Sequence, residues 1–78
     1  MDDYDIEIKI LNILSDYFAV DLKNINRTDT LNDIGIDSLN KAELIMSLED
    51  IFDIDIPNEE ENLLKTVDDI INYVKGKV

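Results

Sequence analysis

The residues Gly35-Ile36-Asp37-Ser38-Leu39-Asn40 set a serine between an aspartate and a leucine, just past a glycine turn. A hydroxyl so placed is open to three uses. It can be a catalytic nucleophile, it can cap the helix that follows, or it can be the attachment point for a group the chain does not encode. Which of these holds depends on the residues around it and on those the chain lacks.

Nucleophilic catalysis fails first. The order Gly-x-Asp-Ser-Leu is close to that of the Gly-Asp-Ser-Leu hydrolases, but Ile36 intervenes, and no Gly-x-Ser-x-Gly elbow is present. With no histidine in the chain, a Ser-His-Asp arrangement is impossible. Lys41 lies in an exposed turn with nothing to desolvate it, so it makes a poor base. A calcium loop fares no better. Asp53-Ile54-Asp55-Ile56-Pro57-Asn58 starts like an EF-hand loop, then puts Pro57 at the fifth position, Asn58 where glycine is needed and Leu64 where the bidentate glutamate belongs. No catalytic residue and no metal ligand is expected. Capping of a helix by Ser38 or Asp37, a role contributing about 1 kcal/mol, stays open. So does attachment, because a helix start exposes a hydroxyl and favours a phosphate nearby.

Composition narrows the partners. Nineteen acids against seven bases in 78 residues give a net charge of −12. Nucleic-acid backbones and anionic membranes would be repelled, so the expected partner is a protein with a basic patch. There is no cysteine, which excludes disulfides and thiolate metal sites; any thiol chemistry must use an imported thiol. The opening Met-Asp-Asp-Tyr-Asp is unlike a secretory signal, and no apolar run approaches the ~20 residues that span a bilayer. A soluble cytoplasmic protein, one domain over 1–78, is expected.

The elements that must position Ser38 read as helices. Ile6, Ile10, Ile13, Leu14, Tyr17 and Phe18 recur at helical spacing, with Asp2, Asp3 and Asp5 at the start, where carboxylates suit the helix dipole. Residues 21–34 show no sustained period and read as a long loop pinned by Leu22, Ile25, Leu31 and Ile34. A second helix runs from about Ser38 to Phe52. A short third one follows, capped by Asn58 and ending near Leu63 or Leu64. Thr66-Val67-Asp68-Asp69 resembles a capping box, opening a last helix with Val67, Ile70, Ile71 and Val74 on its apolar face and a stop near Lys75-Gly76. The fold class is all-α: a small four-helix bundle of three longer helices and one short one.

The second helix has two apolar stripes. At roughly 100° per residue, Leu44, Ile45, Leu48 and Phe52 cluster on one side, the core stripe. Leu39, Ala42 and Met46 fall nearly opposite, interleaved with Glu43, Glu49 and Asp50. So small a domain cannot readily bury opposite sides of one helix. Scattered surface apolar residues are normal and explain the second stripe blandly. A docking ridge ringed by carboxylates and aimed at a basic groove explains it functionally. That Ser38 opens this same helix favours docking.

Asp37-Ser38-Leu39, then Glu43-Leu44, then Phe52-Asp53-Ile54-Asp55-Ile56-Pro57, closely resembles the acyl carrier protein family. The similarity covers essentially the whole chain, including the helix lengths, the long first loop and the closing Thr66-Val67 to Tyr73-Val74 helix. The resemblance implies a monomeric carrier, not an enzyme. A phosphopantetheinyl transferase would move 4′-phosphopantetheine from coenzyme A onto Ser38 with Mg²⁺, and the prosthetic thiol would bear growing fatty acyl chains as thioesters for the enzymes of fatty-acid synthesis. By the same resemblance Asp37 helps the modifying enzyme orient, and Leu39, Ala42, Glu43, Met46, Glu49, Asp50 and Ile56 form the partner-binding surface. Two features depart from the family pattern. Asn40 and Lys41 stand where many bacterial members have a more acidic turn, and Ala42 stands where a larger aliphatic residue is common. Within the fold, polyketide, aminoacyl or D-alanyl cargo is the alternative to fatty acyl cargo. Outside it, the alternative is an acidic helical interaction domain in which Ser38 only caps.

Overall fold

The computed structural model describes residues 2–78. Three α-helices, α1 (Asp3–Phe18), α2 (Ser38–Phe52) and α3 (Val67–Lys77), carry the fold, and a 3-10 helix (Asn58–Leu63) lies between α2 and α3. Among the described residues the only β pairing is an isolated antiparallel bridge between Thr30 and Thr66. The all-α reading holds, with the short helix of the tighter 3-10 form. Its extents are 27 × 27 × 20 Å.

The helix ends follow from local chemistry. The carboxylate of Asp2 accepts from Tyr4 N–H at 3.1 Å and caps α1. At α3 the full capping box forms: Asp69 N–H donates to Thr66 Oγ1 at 3.1 Å, and Thr66 N–H donates to Asp69 Oδ2 at 3.0 Å. Aspartate is one methylene shorter than the usual glutamate, yet it reaches. Neither α1 nor α2 ends on glycine. Ala19 and Asp53 take the left-handed conformation, at φ 55° and 53°. Asn58 is not the cap expected of it. Pro57 holds that place without a side-chain bond, and Asn58 is the first residue of the 3-10 helix. Gly76 does not stop α3, which runs on to Lys77.

Aliphatic packing holds these elements together. Ile6, Ile10, Ile13 and Leu14 of α1 meet Leu44, Ile45, Leu48 and Phe52 of α2 and Val67, Ile70, Ile71 and Val74 of α3, and no polar or charged residue is buried among them. α1 packs against both partners. Tyr17, which shares the helical spacing of the apolar residues of α1, is exposed, while Phe18 packs partly against the core.

The long loop is fastened by more than the residues expected. Leu31 is buried, Ile25 and Ile34 pack at the core edge, and Leu22 stays at the surface; Val20 and Ile36 supply the other buried anchors. Backbone bonds then stitch the loop to the start of α3. Val67 N–H donates to Asp29 O at 3.1 Å, Asp68 N–H to Arg27 O at 2.7 Å, and Leu31 N–H to Lys65 O at 3.0 Å. The first N–H groups of a helix lack intrahelical acceptors, so the loop is itself a tertiary cap for α3. The Arg27 side chain reinforces it, reaching Asp68 Oδ1 at 2.6 Å and Glu7 Oε1 of α1 at 3.5 Å.

Candidate functional site

The chain arrives at Ser38 through a fixed turn. Ile36 N–H donates to Leu31 O at 2.8 Å and Gly35 N–H to Asn32 O at 3.1 Å. Gly35 has φ +89°, a conformation that side-chain-bearing residues rarely adopt. A Cβ there would meet no atom within 4 Å, so the need for glycine is conformational, not steric. With Ile36 buried immediately after, the turn delivers Asp37 and Ser38 to the surface at a set angle.

Asp37, not Ser38, caps α2. Asn40 N–H donates to Asp37 Oδ1 at 2.9 Å, and Lys41 N–H donates to Asp37 O at 2.8 Å as the first intrahelical bond. Ser38 is therefore the first residue of the helix, exposed, and its hydroxyl has no hydrogen-bond partner among the described residues. The amides of Ser38 and Leu39 also find no acceptor there. The division of labour is chemical: the aspartate satisfies the helix end, which leaves the hydroxyl available.

A surface cleft of about 310 Å³ opens beside Ser38. Its apolar floor is Leu31, Ile36 and Leu64, and Asp37, Lys41 and Lys65 stand on its rim. Pockets that bind small molecules run to roughly 300–1,000 Å³, so the cleft matches a short chain rather than a bulky ligand. Lys65 and Leu64 come from the segment between the 3-10 helix and α3, and Leu31 from the long loop. Nothing local to Ser38 in sequence signals them; only the bridging of the loop to α3 brings them together.

The two stripes of α2 separate as the wheel requires. Leu44, Ile45, Leu48 and Phe52 are buried, whereas Leu39 and Met46 are 73% and 68% exposed, and Ala42, Glu43 and Asp50 are exposed with them. Two of the residues assigned to this face behave differently. Ile56 is only 4% exposed and belongs to the core, so its side chain is not part of an outward surface. The cause is Glu49: Ile54 N–H donates to Glu49 O and Ile56 N–H donates to Glu49 Oε2, both at 3.1 Å. These bonds fold the segment after α2 back and turn Ile56 inward. Glu49 is thus half-buried with one carboxylate oxygen already engaged. Asp53, the first residue of the rejected calcium loop, serves as the left-handed cap of α2.

The family model described as the phosphopantetheine attachment site matches residues 9–74. An acyl carrier protein of Clostridium acetobutylicum is 40% identical over 69 residues, covering 87% of this chain and 90% of that protein. The chain belongs to the acyl carrier protein family. A second member, from Syntrophobacter fumaroxidans, is 37% identical over 75 residues, covering 95% of this chain and 93% of its own. The crystal structure of an acyl carrier protein from Thermotoga maritima superposes with a TM-score of 0.82 at 30% identity, over 99% of this chain and 91% of that one. Membership brings acyl carriage as the function and 4′-phosphopantetheine as the group borne. The local geometry fits such a group: an unengaged hydroxyl, two unpaired amides beside it, and a cleft of suitable size.

Proposed function

We propose that residues 1–78 form one carrier unit that bears growing fatty acyl chains as thioesters on a 4′-phosphopantetheine arm attached to Ser38. The observation that carries this reading is the exposed, unpartnered Ser38 hydroxyl at the first position of α2. The other serines, Ser15 and Ser47, are half-buried within α1 and α2. The arm supplies the thiol that a chain without cysteine lacks.

Loading requires help from outside. The Ser38 oxygen bonds to the 4′-phosphate phosphorus of coenzyme A, the anhydride bond to 3′,5′-ADP breaks, and the hydroxyl proton passes to a base. No histidine is available here to be that base. The base and the Mg²⁺ that offsets the leaving charge belong to a phosphopantetheinyl transferase, for which this protein is a substrate rather than a fellow catalyst. Asp37 is the flanking residue by which that enzyme orients. Leu39, Ala42 and Met46, with Glu43 and Asp50 as rim charges, are the docking ridge for the transferase and for basic fatty-acid synthesis enzymes. Glu49 contributes at the edge. The carrier works as a cytoplasmic monomer, without nucleic acid or membrane insertion; no helix among the described residues is long and apolar enough to cross a membrane.

Intact mass tests the assignment. Incubated with a phosphopantetheinyl transferase, coenzyme A and Mg²⁺, the native chain should gain one phosphopantetheine. Ser38→Ala should keep its fold, because Asp37 holds the cap, and stay unmodified. Modification of the Ser38→Ala protein would overturn the assignment, and the native mass identifies the acyl cargo.

A further inference from the structure

Cations are scarce on this chain, yet two of its seven, Lys41 and Lys65, face the cleft beside Ser38. Both stand at the wrong end of a helix. Lys41 lies in the first turn of α2, and Lys65 directly precedes the Thr66 cap of α3; the positive pole of a helix disfavours an ammonium at each place. Neither is compensated by a carboxylate. Among the described residues the ion pairs all belong to Arg27, and Asp37, the acid on the same rim, has one oxygen committed to Asn40 N–H. Two unpaired ammonium groups at two helix starts, converging on one cleft, are an arrangement that an anion between them relieves.

We infer that Lys41 and Lys65 hold the phosphodiester of the arm on Ser38, drawing the arm along the cleft instead of leaving it in solvent. The inference rests on Ser38 as the attachment point. A phosphodiester keeps one negative charge at all ordinary pH, and at Ser38 it lies on the side of the protein where the lysines locally offset the net charge of −12. The unpaired amides of Ser38 and Leu39 offer further donors to its oxygens. The apolar floor of Leu31, Ile36 and Leu64 then receives the dimethyl-bearing part of the arm. Lys41 and Lys65 are positioning residues: they touch the arm and set its direction, and they take no part in the chemistry of the thiol.

Phosphorus NMR of the loaded protein decides the matter. Native chain, Lys41→Gln/Lys65→Gln and Lys41→Arg/Lys65→Arg are each modified with coenzyme A, their folds being checked by amide spectra of the unmodified forms. In the native protein the phosphodiester line should be displaced and broadened at low salt and move toward the free position as salt rises. In the glutamine variant it should lie nearer the free position, sharper, and lose most of its salt dependence. The arginine variant should restore the displacement, since a guanidinium also binds phosphate oxygens. Identical lines and identical salt dependence in native and glutamine proteins would overturn the clasp while leaving the attachment intact. Absence of any mass gain in the native protein would overturn the attachment and the clasp with it.

Discussion

Met46→Ala and Leu48→Ala, two positions apart on α2, should have opposite consequences. Leu48 is fully buried in the packing of α2 against α1, and truncating such a leucine removes transfer energy and leaves a cavity, about 2–5 kcal/mol. A chain of 78 residues holds only about 4–12 kcal/mol of net stability at the usual 0.05–0.15 kcal/mol per residue, so Leu48→Ala removes a large share of it. At roughly 4–8 °C per kcal/mol for so small a domain, the melting midpoint should fall by about 8 °C or more. Met46 is 68% exposed; its truncation should stay within about 0.5 kcal/mol, a shift of no more than about 4 °C.

Binding should invert the order. If Leu39, Ala42 and Met46 are a ridge that enters a partner groove, Met46→Ala should weaken binding to the transferase or a condensing enzyme by about tenfold, or ~1.4 kcal/mol. Glu43→Lys should slow association, with an effect that fades in high salt, because rim charges steer encounter more than they hold the complex. Glu49→Lys should differ from Glu43→Lys. It also removes the acceptor of Ile56 N–H, so it should lower the melting midpoint as well. Asn40→Asp should tighten docking if a less acidic first turn weakens it. The assay is a titration of each variant at two salt concentrations beside its unfolding curve. A Met46→Ala protein that unfolds as readily as Leu48→Ala while binding normally would refute the assignment of faces.

Arg27→Ala should cost about 1 kcal/mol or less, since both of its ion pairs are substantially exposed, and the cost should shrink in high salt when measured by denaturant titration. Self-repulsion at a net charge of −12 should make the melting temperature rise with added salt from low ionic strength; a flat or falling trend would contradict this. Burial raises the Tyr73 phenol above its ordinary value, the bond to Glu60 adds to this, and Lys77 opposes it. A raised folded-state pKa makes stability full below about pH 10 and lost as pH climbs through the folded value, so Tyr73→Phe should flatten the alkaline fall in melting temperature.

The site was more legible than its surroundings. Ser38 and its helix could be read because their signals are local: a glycine turn, a capping acid and two stripes of opposite sense on one wheel. The burial of Ile56 could not. Ile54-Asp55-Ile56 alternates without declaring a face, and its direction is set by a carboxylate seven residues back. The left-handed ends at Ala19 and Asp53 were hidden for a related reason, since neither is glycine and the strain is accepted where Val20 and Ile54 must turn back to the core. The tertiary cap on α3 was invisible because it uses backbone carbonyls of a loop about 40 residues earlier, and backbone carbonyls leave no mark in residue type.

That loop is also what gives the hydroxyl its setting. It runs from Val20 to Ile36, is fastened at both ends by buried aliphatics, and is tied midway to α3 through Arg27, Asp29 and Leu31. A loose connection would let the start of α2 wander and close the cleft against Leu64. Fastened as it is, it holds the first residue of one helix beside the residue preceding another, and so two helix starts share one opening. A serine at an ordinary capped helix would have solvent on all sides. Here it has a floor of aliphatic carbon and a rim of two lysines, which an attached anionic arm can use and an unmodified hydroxyl cannot.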